Sequence, residues 1–249
     1  DHNWDRTARA VAALTDVTVI GVQTEQLTTA QQGAPTFGMR RMGRVLRVLS
    51  HCDVVLDWSA ENARLLATRH PHVEWFPYGL IEVDRHAREL ADVRPRFDLG
   101  FVGSLDAQDG RRRRLLESLS GRFSVHPTST GVWGADKFRV IRESRILLNL
   151  HVEASRVFES PRFFDVLGAE RPLLSEPVYD PAPFRPGTDF IEAPEMQLAQ
   201  AAQALLEDRE RRTALARSGR ARAVEFGMDA VPESFDVAAE QSQGLLKAG

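Results

Sequence analysis

The residues best suited to chemistry lie between positions 145 and 176, where polar side chains follow two short apolar runs. Asn149 and His151 end the first run, and Glu176 directly follows the second. Asn and His can hydrogen-bond a hydroxyl group or a phosphate oxygen, and a carboxylate can accept hydrogen bonds from two hydroxyl groups. If both runs are buried parallel strands, their carboxyl ends meet at one edge of a sheet, where open α/β sheets bind ligands. The sequence therefore predicts a ligand site at this edge.

Glu159 and Arg162 lie between the two runs and add opposite charges to the predicted site. An arginine can hold a carboxylate or a diphosphate through paired N–H groups. The alternative is an ordinary ion pair between residues i and i+3 on a helix surface. His151 has a similar alternative, in which backbone groups at a strand end satisfy the ring. Asp165 is a weaker candidate, because it could simply face solvent in the first turns of its helix.

A second candidate site for an anion follows the apolar run that ends in Gly103 and Ser104. A glycine after a strand lets backbone N–H groups approach an anion, and a helix predicted to begin near Asp109 adds a partial positive charge. Arg111 and Arg112 begin a run of four arginines in its first turn, where cations oppose the helix dipole. An anionic ligand would remove that cost. The alternative is a solvated basic turn after an ordinary strand–helix loop.

Four other residues follow apolar runs or lie in loops. Glu25 and Gln26 either line the opposite wall of a cleft or belong to a loop without a ligand. Ser59 is predicted to cap a helix. Trp133 lies between two glycines and could stack on a base or a sugar, although packing on its own domain is the commoner role.

Strand-like apolar runs alternate with helix-like stretches, which is typical of parallel sheets covered by helices. Helical spacing of apolar residues predicts helices near 42–49 and 198–206. The predicted strands are 17–22, 53–57, 73–76, 99–104, 123–126, 146–150, 172–175 and 189–192.

A charged stretch at 82–96 with few large apolar residues is the predicted domain boundary. We expect an α/β unit at 1–82, a second α/β unit at 83–227, and a helix at 228–249 that could pack back on the first unit. The polar stretch 23–37 is predicted to be a mobile loop.

Composition and absent motifs exclude several classes of protein. The 32 basic and 35 acidic residues give a net charge of −3, which argues against nucleic-acid binding. A single cysteine excludes an internal disulfide. The sequence shows no signal peptide and no apolar run of the ~18–20 residues that span a membrane. We therefore expect a cytoplasmic location. The chain begins with Asp, so we expect the natural N-terminus to be missing. No G-x-G-x-x-G, Walker, H-E-x-x-H or G-x-S-x-G motif occurs, and no Asp-x-Asp pair offers a metal ligand.

The order of several segments resembles that of bacterial glycosyltransferases of the GT-B type, in the glycosyltransferase family 1-like group related to the spore-maturation protein CgeB. These segments are VQTEQL, VVLDWSAENARLL, FPYGL, DLGFVGSL, ILLNLH, the step from Glu159 to Arg162, and PLLSE. The resemblance implies two Rossmann-like α/β domains, of which the N-terminal one would bind the acceptor. In this chain the N-terminal domain is predicted to be short or truncated, because only about three strands precede the boundary. The C-terminal domain would bind a nucleotide-diphosphate sugar.

The resemblance also assigns roles. Gly103 and Ser104 would face the diphosphate, assisted by Arg111 and Arg112. The segment from Asn149 to Arg162 would contact the donor sugar and phosphates. Asp165 falls near a ribose-binding glutamate of many relatives, although their two glutamates seven residues apart do not occur here.

We therefore predict a hexosyltransferase-like enzyme that moves a sugar from a nucleotide-diphosphate sugar to an acceptor, without a metal or other cofactor. Glu159 would orient donor hydroxyls, His151 would bond the sugar or the phosphate, and Glu25 is the candidate general base. The alternative is a non-catalytic nucleotide- or sugar-binding protein derived from such a transferase. An NAD-dependent enzyme is disfavoured by the missing glycine motif. The donor, acceptor, stereochemistry and oligomeric state stay open.

Overall fold

The computed structural model describes residues 2–14, 17–24, 27, 37–76, 80–105, 110–127, 131–151, 156 and 158–226. The chain divides into two compact units, the second of which spans Gly79–Gly227. Most of the loop predicted at 23–37 and the whole helix predicted at 228–249 lie outside the described residues. Within the described ranges, no helix is long and apolar enough to cross a bilayer.

The first unit contains a parallel sheet in the order β1-β2-β3. Val55 on the central strand packs with Val45, Leu49 and Leu66 from the flanking helices. Ser59 caps α3 as predicted, because its Oγ accepts the backbone N–H of Asn62 at 3.3 Å. The elements are α1 (His2–Ala12), β1 (Ile20–Gln23), α2 (Phe37–Leu49), β2 (Val54–Asp57), α3 (Ala60–Ala67) and β3 (Val73–Trp75).

The second unit contains a four-stranded parallel sheet in the order β4-β5-β6-β7, which confirms the predicted α/β class with parallel strands. A short 3-10 turn at Glu195–Gln197 precedes α8. The elements are α4 (Ile81–Glu89), β4 (Phe97–Phe101), α5 (Arg111–Ser120), α6 (Gly134–Glu143), β5 (Ser144–Asn149), α7 (Ser160–Gly168), β6 (Leu173–Ser175), β7 (Ile191–Glu192), α8 (Leu198–Glu207) and α9 (Arg209–Glu225).

The strand predicted at 123–126 is wrong. The segment runs beside β4 but forms only one isolated parallel bridge, between Val125 and Leu99. Its last bond to β4 is from the His126 N–H to the Leu99 carbonyl at 2.8 Å. The pairing therefore covers a single residue pair, which is too short to form a strand.

The core of the second unit surrounds β4 and β5, whose apolar side chains are buried except for the half-buried Phe97. Leu99, Phe101 and Ile146 pack against Leu116 of α5 and Leu198 of α8. Burying such side chains contributes roughly 1.5–3 kcal/mol each. Because all four strands run the same way, their carboxyl ends form one edge, and the helices that follow β4 and β5 begin there.

Candidate functional site

The carboxyl edge of the second sheet brings together most side chains selected from the sequence. β4 ends at Phe101 and continues into Gly103 and Ser104, β5 ends at Asn149, and Glu176 directly follows β6. The first turns of α5 and α7 lie at the same edge, and their charged side chains meet in ion pairs. We call this group the carboxyl-edge site.

Arg112 is buried beneath the site, with 4% of its side chain exposed. Its Nε donates to the carbonyl of Leu150 at 2.8 Å, and its Nη1 donates to that of Ser104 at 3.2 Å. Its Nη2 contacts Glu159 Oε1 at 2.8 Å. Arg112 therefore ties the loop after β4 to the end of β5 and to the start of α7.

Arg162 makes a matching set of contacts. Its Nε donates to the carbonyl of Val102 at 2.9 Å, and its Nη1 donates to Asn149 Oδ1. Its Nη2 pairs with Glu159 Oε2 at 2.5 Å. The i,i+3 ion pair considered from the sequence does form, but it is not on a helix surface, because Arg162 is 10% exposed and the same carboxylate also pairs with Arg112.

Gly103 allows these side chains to approach the loop closely. A β-carbon at this position would lie 2.7 Å from Phe101 Cζ and 3.0 Å from Arg162 Nη2. The guanidinium carbons of Arg112 and Arg162 each lie 5.3 Å from the Phe101 ring centroid, within cation–π range. Any larger residue at position 103 would displace the ring or the guanidinium.

Glu159 carries the negative charge that both arginines share. Burial would raise its pKa, but the charges of Arg162 and Arg112 outweigh burial and hold the pKa of Glu159 below its ordinary value. Burial lowers the pKa of Arg112 to about 10, so Arg112 still carries its charge at neutral pH. Glu159 is 31% exposed and is the member of this network that a ligand can reach.

Arg111 forms a second network at the same edge. Its Nη1 contacts Glu176 Oε2 at 2.9 Å, its Nη2 contacts the other Glu176 oxygen, and Nη2 also pairs with Glu195 Oε2 at 2.6 Å. Burial would raise the pKa of Glu176, but hydrogen bonds from Arg111 and from the His151 backbone N–H lower it. The charge of Arg111 is thus shared with two carboxylates.

His151 is 3% exposed and presents one ring nitrogen as an acceptor. Its Nε2 lies 3.1 Å from the Pro177 carbonyl oxygen, which can only accept, so the ring proton is assigned to Nε2. Its Nδ1 has no hydrogen-bond partner within the part of the chain that the structure describes. Burial lowers the pKa of His151, although Glu176 opposes this, so the ring is neutral at neutral pH. The backbone therefore satisfies only one of the two nitrogens.

Asp165 does not face solvent. Its side chain is 7% exposed, and Oδ2 lies 2.6 Å from Nζ of Lys137 on α6. α7 packs against α9, α4 and β6, so most of its residues are buried and no wide face is left for water. Lys137 was not selected from the sequence, because a single basic residue in a helix has no spacing signal.

Two helix N-termini add partial positive charge to the site. α5 begins at Arg111, two residues later than predicted, after Gly110 in the left-handed conformation with φ of 61°. α7 begins after Glu159, whose side chain points to the arginines instead of capping the helix. No acidic side chain lies in the first turn of either helix. Backbone N–H groups and dipole therefore both favour an anion here.

Two other sequence candidates have different outcomes. Glu25 lies outside the described residues. Trp133 immediately precedes α6 and is 79% exposed, so packing on its own domain does not account for it. No group of three or more His, Cys, Asp or Glu side chains suited to a metal ion occurs among the residues that the structure describes.

Several solved glycosyltransferases have a similar fold. Sucrose-phosphate synthase from Thermosynechococcus elongatus superposes with a TM-score of 0.66 at 15% identity, over 99% of this chain and 73% of that one. HepE from Anabaena in complex with UDP-glucose gives 0.64 at 10%, over 97% and 77%. α,α-Trehalose 6-phosphate synthase from Burkholderia multivorans gives 0.62 at 11%, over 98% and 78%. At these identities the similarity shows the fold alone, and it confirms the predicted GT-B type.

Sequence comparison is informative at the level of the family. No curated protein matches the chain. A family model described as glycosyl transferase-like matches residues 94–226, which include the whole carboxyl-edge site. Because this match covers more than half of the chain, the protein belongs to the glycosyl transferase-like family.

Proposed function

We propose that the protein transfers a sugar from a nucleotide-diphosphate sugar to an acceptor hydroxyl, without a metal, and that the donor diphosphate binds at the carboxyl-edge site. The observation that carries this proposal is the convergence of two helix N-termini and three arginines, Arg111, Arg112 and Arg162, behind the glycine loop. Such an arrangement can neutralise the charge of a diphosphate.

Arg112 and Arg162 hold the loop after β4 in place, in addition to supplying positive charge. In a trans peptide the carbonyl and the following N–H point in opposite directions. Arg162 binds the Val102 carbonyl and Arg112 binds the Ser104 carbonyl, so the N–H groups of Gly103 and Leu105 are directed away from the two guanidinium groups. These two N–H groups are therefore the proposed donors to the diphosphate, and the arginines hold them in place.

The reaction would be a displacement at the anomeric carbon. The bond from the sugar to the diphosphate breaks, and its electron pair leaves with the diphosphate. The acceptor hydroxyl forms the new bond and loses its proton. Glu159 would accept hydrogen bonds from donor hydroxyls, and the neutral Nδ1 of His151 would accept one from the sugar or a protonated phosphate. Glu25 stays the proposed general base.

A non-catalytic binding protein is the second candidate. It is favoured by the ion pairs themselves, since Glu159, Glu176 and Glu195 already neutralise the arginines. A diphosphate would have to compete with these carboxylates. Assays of hydrolysis and transfer with a panel of nucleotide sugars separate the two candidates, because binding without turnover would support the second.

Thermal unfolding with uridine, guanosine, adenosine and thymidine diphosphates tests the donor site. A nucleotide that binds the folded state raises the midpoint by mass action. The uridine series comes first, because a HepE with the same fold was crystallised with UDP-glucose. If none of the four shifts the midpoint at millimolar concentration, the proposed donor site is wrong. The relation to the CgeB-related group, the bacterial origin and the cytoplasmic location also stay parts of this proposal.

A further inference from the structure

Three arginines lie near one another at the amino-terminal edge of the second sheet, opposite the carboxyl-edge site. Arg94 precedes β4, Arg142 lies in the last turn of α6 just before β5, and Arg171 precedes β6. They come from different parts of the chain, so only the parallel topology brings them together. We call them the arginine triad.

The contacts of the triad are with backbone carbonyls. Arg171 Nη2 donates to the carbonyl of Arg142 at 3.3 Å, and Arg94 Nη1 donates to that of Ala91 at 2.7 Å. Among the described residues, no carboxylate forms an ion pair with any of the three. The Nε groups of Arg142 and Arg171 are both buried and have no acceptor in the described part of the chain.

Within the part of the chain that the structure describes, the triad therefore holds like charges together without an ion-pair partner. Burial and the charge of Arg142 lower the pKa of Arg171 to about 10, Glu170 opposes this, and Arg94 adds a smaller lowering. At neutral pH Arg171 therefore remains charged. This differs from the carboxyl-edge site, where each arginine has a carboxylate partner. A buried charged donor without an acceptor is costly, and an anion would remove that cost.

We propose that Arg94, Arg142 and Arg171 bind the phosphate group of a ligand that is distinct from the sugar donor. Guanidinium groups suit phosphate because their planar N–H groups match pairs of its oxygens. The Nε groups of Arg142 and Arg171 are the donors of the triad that have no acceptor in the described part of the chain. The phosphate could belong to a small soluble ester or to a lipid headgroup, since both present the same oxygens.

Calorimetric titration with inorganic phosphate is the first test, with Arg142→Gln and Arg171→Gln as variants. Each variant should raise the Kd for inorganic phosphate by about tenfold or more, because each loses a charge-assisted hydrogen bond to the phosphate. Arg139→Gln is the matched control, because it removes an exposed arginine from the same helix as Arg142. It should leave the Kd within about twofold, well under the tenfold that corresponds to 1.4 kcal/mol.

Arg142→Lys keeps the positive charge but removes the planar guanidinium group with its paired N–H donors. It should bind phosphate more weakly than wild type, and it keeps the test valid if a glutamine variant fails to fold. Phosphate binding that persists unchanged in Arg142→Gln and Arg171→Gln would belong to another site and would overturn the proposal. So would the absence of any phosphate binding by the wild type together with no binding to anionic vesicles.

Vesicle sedimentation distinguishes the two sources of phosphate. Phosphatidylglycerol vesicles are compared with phosphatidylcholine vesicles, using wild type, Arg142→Gln and Arg139→Gln. Sedimentation with phosphatidylglycerol that Arg142→Gln abolishes and Arg139→Gln retains supports a lipid headgroup. Binding of inorganic phosphate in the calorimetric titration, without sedimentation of the protein with the vesicles, supports a soluble ester. Equal sedimentation of both variants, with no triad-dependent phosphate binding, would contradict the proposal.

Discussion

The two parallel sheets treat buried charge differently at their carboxyl edges. The second sheet places arginines there and gives each a carboxylate partner, as in the pairs that Glu159 makes with Arg112 and Arg162. The first sheet places a carboxyl group, Asp57, at the end of its central strand, and no cation among the described residues pairs with it. Asp57 is fully buried and accepts hydrogen bonds from the Ser59 N–H at 2.8 Å and from the Asn62 amide at 3.3 Å.

The difference appears in the pKa values. Burial raises the pKa of Asp57 to about 7, although hydrogen bonds from Ser59, Asn62 and Gln23 oppose the rise. In the second sheet the arginines reverse the same effect of burial on Glu159, whose pKa is lowered. Neutral hydrogen bonds therefore do not compensate for burial of a carboxylate as a paired cation does. The charge of Asp57 at the carboxyl edge of the first sheet should therefore change near neutral pH, whereas Glu159 at the carboxyl edge of the second sheet should stay ionised.

The largest expected effect is the loss of Arg112. Arg112→Ala should lower the free energy of unfolding by about 3–5 kcal/mol, because it leaves buried carbonyls and a carboxylate without their donor. Urea unfolding measures this. Arg113→Ala removes the neighbouring exposed arginine and should change the free energy by less than about 0.5 kcal/mol. Equal effects of the two variants would show that the buried network is not what stabilises the edge.

Arg162 sharpens the comparison through ligand binding. Arg162→Ala should weaken binding of the stabilising nucleoside diphosphate by about 1.5–3 kcal/mol, because the Val102 carbonyl is released and the Gly103 N–H is no longer held. Calorimetric titration gives the affinity. Arg145→Ala, at an exposed position on the amino-terminal side of the same sheet, is the control. Unchanged affinity in Arg162→Ala would remove this residue from the donor site.

Asp57 gives the pH-dependent prediction. Its folded pKa of about 7 is above the ordinary ~3.9, so its contribution to stability is complete below that ordinary value and is lost as the pH rises through about 7. Asp57→Asn lacks this loss and should be more stable than wild type at pH 8 by about 1–3 kcal/mol. Urea unfolding at pH 5 and pH 8 tests it. If wild type and variant change in parallel, Asp57 is already ionised in the folded state.

The sequence predicted the layout of the second edge better than its contacts. Parallel topology requires residues that follow β4, β5 and β6 to share one edge, so Gly103, His151 and Glu176 could be placed there from order alone. The ion pairs could not be predicted, because Arg112 and Glu159 are 47 residues apart and Arg111 and Glu176 are 65 apart. Sequence spacing carries no information on which side chains meet across such distances.

Strand boundaries show a related limit. β6 was predicted to within one residue, since Pro172–Ser175 is apolar and β6 runs from Leu173 to Ser175. β1 begins at Ile20, three residues after the predicted start, and Val17 is 59% exposed. Apolar character alone does not distinguish a paired strand from the residues that lead into it.

The smallest expected effect concerns the helix cap beside Asp57. Ser59→Ala removes the Oγ that accepts the Asn62 N–H at 3.3 Å and should lower the free energy of unfolding by about 1 kcal/mol. Ser59→Gly should lower the free energy of unfolding by only about 0.3 kcal/mol, because glycine is tolerated at an N-cap. Both variants keep the backbone N–H that Asp57 accepts, so the pH dependence assigned to Asp57 should survive in both. A cap variant that abolished this dependence would place its origin in the start of α3 instead of in the buried carboxyl group.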